Sequence, residues 1–204
     1  MNLPPPLTVT ELAARPDLAR TAVAARSGQQ VVLRLLKRED LELLTDYFLG
    51  LGEATREVYA PHPFDRETAQ FICSEIDYTE CLRLVAVAGA ETAAPRIVGY
   101  FIAVLGVREG ELARYRLHGV VLNECEVSTL APSVADAWQD QGIGSLMLTH
   151  LIDLARRLGR SRVILMGGVR EENRRAVHFY RKFGFRKMWQ FQTRVNNYDM
   201  MLEL

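Results

Sequence analysis

The sequence predicts an α/β domain, on three observations. The first is composition: hydrophobic residues make up 49% of the chain and charged residues 25%, the balance of an ordinary soluble globule. The second is a pair of strand-like runs at residues 82–88 and 96–105, joined by a short segment that begins at Gly89 and ends at Pro95. That arrangement favours an antiparallel hairpin of two neighbouring central strands. The third is the order strand, tight glycine loop, helix between Glu124 and Gly159. With 204 residues the chain is long enough for one domain with a substantial core, or for one domain plus an extension.

Lys plus Arg and Asp plus Glu each total 25, so there is no overall basic field to hold a nucleic acid, and none is expected as a partner. Arginine is locally dense at Arg156, Arg157, Arg160 and Arg162, and again at Arg170, Arg174, Arg175 and Arg181 beside Lys182. This distribution suits a small phosphate-bearing ligand, although taken singly each residue reads most simply as part of a solvated helix face. The cysteines Cys73, Cys81 and Cys125 lack C-x-x-C spacing and are odd in number. Neither a zinc site nor a disulfide framework is indicated, and a reducing cytoplasm is the expected compartment. The four histidines, His62, His118, His150 and His178, show no H-x-x-x-H or H-E-x-x-H spacing, so no metal is expected. From Met1 onward no apolar run reaches the length of a signal peptide or a membrane span, so no membrane partner is expected either.

Residues 1–28 contain Pro4, Pro5 and Pro6 and an Ala/Arg-rich stretch, with Thr10-Glu11-Leu12 able to start a short helix before Pro16. They are set apart as an N-terminal extension, and residues 29–204 as the domain. Residues 31–35 are rich in strand formers, and residues 41–49 have helical spacing that ends near Gly50 and Gly52. Helical spacing returns over 55–59, Pro61 and Pro63 break it, and Asp65 can cap a further helix through Ile76. Residues 115–122 are read as a strand, and 124–134 as a long strand interrupted at Pro132, which cannot donate to a sheet ladder. The apolar residues from Leu146 to Leu158 fall at helical spacing, and Gly159 stops them as a C-cap glycine does. Val163-Ile164-Leu165-Met166 is a buried-strand run ended by Gly167 and Gly168. Asn173 can cap a helix running through Lys182 and closed by Gly184, and strand-like segments at 185–191 and 198–202 follow.

The chemistry concentrates in the loop from Gln139 to Gly144. Two glycines separated by one residue open a helix directly after a strand, and glycine lets the backbone amides turn toward one point and meet a phosphate closely. The helix N-terminus adds unpaired N–H donors and a partial positive charge. A dinucleotide fingerprint would need a small residue where Met147 stands, and a Walker loop would need Gly-Lys-Ser/Thr, which is absent.

Gln139-x-x-Gly142-x-Gly144 resembles the Q/R-x-x-G-x-G/A coenzyme A signature of the GNAT acetyltransferase superfamily. Asn173-x-x-Ala176-x-x-Phe179-Tyr180-x-Lys182-x-Gly184-Phe185 is similar to that superfamily's closing helix and turn. The two motifs span about a quarter of the chain and leave residues 1–28 uncovered. The resemblance implies a mixed, mostly antiparallel twisted sheet with splayed central strands, flanked by helices. It implies acetyl-CoA or another short acyl-CoA as co-substrate, with its pantetheine arm in the splay. The diphosphate would lie on the loop formed by Gln139, Asp140, Gln141, Gly142, Ile143, Gly144 and Ser145. The backbone around Ser133 and Val134 would pair with the pantetheine amides, Pro132 would mark a bulge that opens the sheet, and Asn173 would reach the cofactor as well as cap its helix.

The resemblance also implies that Tyr180 protonates the departing thiolate, which suits a phenol whose ordinary pKa is near 10. Acylation further needs a neutral amine, and Glu126 is the first candidate base, with Glu124 second or water in their place. Cys125 is read as a buried small hydrophobe on the opposite face. Phe48, Tyr59, His62, Phe64 and Asp65 fall in the region that lines the acceptor site of the resembled fold. The expected activity is direct transfer of an acyl group to the primary amine of a small molecule or peptide. A rival of another class is a non-catalytic acyl-CoA sensor; residues 1–28 are open to a role in assembly or regulation, and a homodimer is a further expectation.

Overall fold

The protein, seen in a computed structural model, is described over residues 5–204; Pro4 and the three residues before it lie outside that span. Nine strands form one sheet: β1 (Thr21–Ala24), β2 (Gln30–Leu35), β3 (Cys81–Ala88), β4 (Arg96–Val104), β5 (Val127–Val134), β6 (Arg162–Leu165), β7 (Val169–Arg170), β8 (Arg186–Gln192) and β9 (Asn196–Glu203). Their order is β1-β2-β3-β4-β5-β6-β9-β7, with β8 paired to β9. Every pairing is antiparallel except β5 with β6. The expected hairpin is β3–β4, and the sheet is mixed, mostly antiparallel and flanked by helices, as the sequence predicted.

The helices are α1 (Val9–Ala14), α2 (Leu41–Gly50), α3 (Glu53–Val58), α4 (Arg66–Ser74), α5 (Glu109–Leu117), α6 (Ile143–Arg157) and α7 (Arg174–Lys182). β3 and β4 are buried along nearly their whole length because helices cover both faces of the sheet. On one face Leu12, Ile143, Met147, Leu151, Val177 and Tyr180 pack against Leu84, Phe101 and Leu130. On the other, Leu44, Tyr47, Phe48 and Ile72 pack against Val85, Tyr100 and Ala131. Local sequence sets the helix ends: Thr8 and Glu11 form a capping box on α1, Asp65 accepts from the Thr68 amide at 2.7 Å, and Asn173 accepts from the Ala176 amide at 3.0 Å.

Three local expectations are corrected. Residues 115–122 are not a strand; Glu109–Leu117 is helical, with acids in its first turn and Arg114 and Arg116 in its last, matching the helix dipole. Arg114 fixes this helix by gripping both carboxylate oxygens of Asp199 on β9, at 2.8 and 2.9 Å. β5 begins at Val127 rather than at Glu124, because the Asn123 side chain accepts from the Cys125 amide at 3.2 Å and holds the preceding residues in a turn. Cys125 is accordingly exposed rather than buried.

The N-terminal segment is woven into the domain. β1 adds to the β2 edge through a turn at Gly28, where φ is +84°, and Leu7, Leu12, Ala19 and Ala25 lie in the same apolar cluster as α6. The short alanine-rich strand carries little strand propensity of its own, so the pattern alone did not show it. Among the described residues no helix is long and apolar enough to cross a membrane, and no group of His, Cys, Asp and Glu could hold a metal ion. Leu12 is fully buried, so Leu12→Ala is expected to lower the unfolding free energy by about 2–5 kcal/mol in a single cooperative transition. Chemical denaturation checks this; a loss under about 1 kcal/mol would mean that the segment is only appended.

Candidate active site

The site is built where two strands part. β5 pairs with parallel β6 only from Val127 to Leu130, and the Met166 amide makes the last bond, to the Leu130 carbonyl at 2.8 Å. Beyond it β5 continues to Val134 with β4 on one side and, among the described residues, no strand on the other. The Ala135 amide bonds to the Val98 carbonyl, so alternation along an antiparallel ladder points the backbone groups of residues 131 and 133 at β4, and those of 132 and 134 into the gap. Pro132 is tolerated here because its missing N–H falls on the unpaired side. The β4–β5 register is continuous, so no bulge opens the sheet; the shortness of β6 does.

The residue on either side of Ser133 therefore faces the gap, while Ser133 looks inward. Its hydroxyl accepts from Tyr47 Oη at 2.8 Å and donates to the Tyr100 carbonyl at 3.2 Å. Gln139 turns its Nε2 back onto the Val134 carbonyl at 3.2 Å, which leaves the Val134 N–H and the Pro132 carbonyl as the free groups of this edge.

At the end of β5 the chain turns through Asp140 and Gly142, both with positive φ, at +61° and +85°. Gly142 is the N-cap of α6, and the first helical bond runs from Leu146 N to Gly142 O at 3.0 Å. The amides of Ile143, Gly144 and Ser145 therefore have no intrahelical acceptor and form an anion cradle. A Cβ at Gly144 would sit in ordinary contact with Val134 Cγ2 at 3.6 Å and the Phe179 ring at 3.7 Å, which places the first turn of α6 against the end of β5 and against α7. Asn173 caps α7 beside this loop, and Arg175 of α7 bonds to the side chains of Gln139 and Asp140.

One cavity of about 1020 Å³ joins the loop, the open edge and Tyr180. Of the sequence-predicted residues it collects Ser133, Val134, Gln139, Asp140, Gly142, Gly144, Ser145, Asn173 and Tyr180. Gln141 stands behind the loop, with its Nε2 on the Ala137 carbonyl at 2.9 Å, and the Ile143 side chain is in the core. Tyr180 is buried against Phe179 and Phe185, with no protein partner for its hydroxyl among the described residues. Burial raises its pKa above the ordinary value, so the phenol holds its proton.

Glu126 is not brought to this cavity. It is exposed in the turn at the other end of β5, bonded to Asn123 Nδ2 at 2.8 Å, and Glu124 lies in the same turn. The mis-set start of β5 is the reason: a strand from residue 124 would have carried both carboxylates along the edge.

On the far side of the gap the wall is Glu57, Val58, Tyr59, Ala60 and Pro61 with Arg108 and Arg170. Arg56 fastens this wall by donating to the carbonyls of Phe48, Leu51 and Phe64, and Asp136 ties it to the loop by accepting from Gly52 N at 2.7 Å and from Thr55 Oγ1. His62 packs among Phe48, Phe64 and Tyr100. Its Nδ1 donates to the Pro63 carbonyl at 2.7 Å, and burial lowers its pKa. Sequence reasoning missed Arg26, which lines the cavity beside Gly142; the Ser27-Gly28 turn signal after Ala22-Val23-Ala24 was the available clue.

The model of the acetyltransferase (GNAT) family matches residues 48–185. No protein of curated function is similar to the chain in sequence. Among solved structures, the GNAT domain of PAT from S. lividans is 17% identical with a TM-score of 0.72, over 93% of this chain and 99% of that one. Ribosomal-protein-S5-alanine acetyltransferase from Vibrio fischeri is 13% identical with a TM-score of 0.67, over 85% and 92%. The aminoglycoside acetyltransferase AAC(6')-Ib, solved in complex with coenzyme A, is 18% identical with a TM-score of 0.58, over 85% and 94%. At such identities the likeness is one of fold. The family match, which spans about two thirds of the sequence and includes the loop, the open strand edge and Tyr180, shows that the chain belongs to the GNAT acetyltransferase family.

Proposed function

We propose that the protein is an acyl-CoA-dependent N-acyltransferase that moves an acetyl or other short acyl group to a primary amine by direct attack in a ternary complex. The observation that carries this reading is the cavity shared by the loop that opens α6, the unpaired β5 edge and Tyr180. The residues suit the coenzyme part by part. The amides of Ile143, Gly144 and Ser145 would hold the diphosphate. The Val134 N–H and the Pro132 carbonyl would pair with the pantetheine amides as a further strand would. The contact expected at Ser133 thereby moves to its two neighbours.

The bound thioester supplies an acyl carbon open to attack by the amine and a thiolate that departs. Tyr180 would give the thiolate its proton, and its burial keeps that proton in place at neutral pH. The proton released by the amine passes to water in the open cavity, because Glu126 is not within reach. Fixing both reactants across the β5 edge supplies the orientation that such a transfer chiefly requires. The acceptor wall combines Tyr59 and Pro61 with Glu57, Arg108 and Arg170, a surface for an amine with an apolar body. A small-molecule or peptide amine fits that wall. The related structures support both, since one holds coenzyme A and kanamycin and another is named for a ribosomal-protein alanine.

Incubation with acetyl-CoA and a broad amine panel should release free thiol in an amine-dependent way; coenzyme A binding without turnover on any amine would leave only the sensor reading. In that assay Tyr180→Phe is expected to lower kcat by about a hundredfold with little change in coenzyme A affinity. Full activity would remove the acid role. Because the phenol's pKa is raised, the wild-type rate should climb as the amine deprotonates and should not fall again below about pH 10. Glu126→Gln should leave kcat/KM within about twofold, and a large loss that high pH rescues would restore Glu126 as the base.

A further inference from the structure

Resting on the acyl-CoA reading, we propose that Arg26, at the tip of the β1–β2 hairpin, is a phosphate ligand for the coenzyme. The N-terminal segment thus completes the cofactor site from outside the two motifs that resemble the family.

The hairpin and the loop are joined by backbone and side chain together. The Arg26 amide donates to the Gln141 carbonyl at 2.9 Å, and Nη1 donates to the Asp140 carbonyl at 3.3 Å. The aliphatic part of the side chain lies over Gly142, since a Cβ there would meet Arg26 Cγ at 3.4 Å and Nε at 3.6 Å. The guanidinium is thus held against the Asp140–Gly142 turn at the wall of the cavity, while remaining exposed to an incoming ligand.

Charge accounting separates Arg26 from the other arginines of the cavity. Four arginines line it: Arg26, Arg108, Arg170 and Arg175. Arg108 is paired with Glu111 at 3.4 Å, Arg170 with Glu57 and Glu172 at 3.4 Å, and Arg175 with Asp140 at 3.0 Å. Lys182, the lining lysine, sits over the Phe183 ring. Among the described residues Arg26 has no carboxylate within 4.0 Å, so it is the one arginine of the cavity whose charge is not already neutralised. A guanidinium presents its N–H groups in a fork that matches phosphate oxygens, and Gly142, over which this side chain lies, leads directly into the α6 amides that have no intrahelical acceptor and also suit an anion. Gly28, with φ at +84°, makes the tight turn that brings Arg26 back over the loop, and Leu12 and Ala19 anchor the strand behind it in the core.

The test is calorimetric binding of coenzyme A, dephospho-coenzyme A and pantetheine to the full chain and to its Arg26→Gln and Arg26→Lys variants, at several salt concentrations. Arg26→Gln is expected to weaken coenzyme A by at least about tenfold, the effect of losing one charge-assisted hydrogen bond, and to flatten its salt dependence. Pantetheine affinity should not change, and Arg26→Lys should keep the salt dependence. A loss shared by dephospho-coenzyme A assigns the contact to the diphosphate, and a loss confined to coenzyme A assigns it to the 3′-phosphate; either supports the proposal. Equal affinity of wild type and Arg26→Gln, or a loss with unchanged salt slope, would overturn it. If the wild type itself fails to bind coenzyme A, it is the acyl-CoA reading that fails.

Discussion

Two parallel strands, β5 and β6, run side by side for four residues and then part, and nearly everything the site does depends on that parting. A backbone edge inside a domain is costly to leave unpaired, since each buried N–H or carbonyl without a partner forfeits a hydrogen bond it would otherwise make to water. The protein limits the exposure to two groups. Pro132 removes one donor, Gln139 covers the Val134 carbonyl, and Ser133 turns inward to Tyr47 and Tyr100. What is left, one N–H and one carbonyl on neighbouring same-side residues, is the pattern that a single added strand would satisfy.

The surrounding elements brace the gap from several directions. Asp136 joins the turn after β5 to the start of α3, so the loop that opens α6 is tied to the opposite wall of the cavity. Across the gap, buried Glu111 accepts the Gly167 amide at 2.8 Å, and α5 in turn is tied to β9 by the Arg114–Asp199 pair. Removing Arg114 would leave the carboxylate of buried Asp199 without its matching charge, a strongly destabilising change. The N-terminal hairpin closes the third side, against Gln141 and Gly142.

Much of this was legible in the sequence where short-range chemistry decides structure. Asn173, Gly142, Gly159 and Gly184 announce helix ends because capping and positive φ are local requirements, and the two motifs carry Tyr180 and the cradle with them. Errors arose where a distant partner decides. Residues 115–122 have strand-like composition, yet Arg114 finds Asp199 some eighty positions away and the segment from Glu109 coils. Glu126 looked suitable only while residue 124 was taken as the start of β5; a turn stands there instead, in which the Cys125 amide donates to Asn123 Oδ1 and distant Arg160 holds the carbonyls of Glu124 and Cys125. β1 escaped notice because four residues of alanine, threonine and valine gain strand character only from β2 beside them. With it went Arg26, whose relation to Gly142 is tertiary.

The central claim is that the open β5 edge receives the coenzyme's pantetheine arm, and amide hydrogen exchange read residue by residue tests it most directly. In the free protein the Val134 amide faces the gap while the Ser133 amide is paired with β4, so Val134 should exchange fast and Ser133 slowly. On saturation with coenzyme A the Val134 amide should become strongly protected while Ser133 stays as it was. A Val134 amide that exchanges equally fast with and without bound coenzyme A would contradict the account.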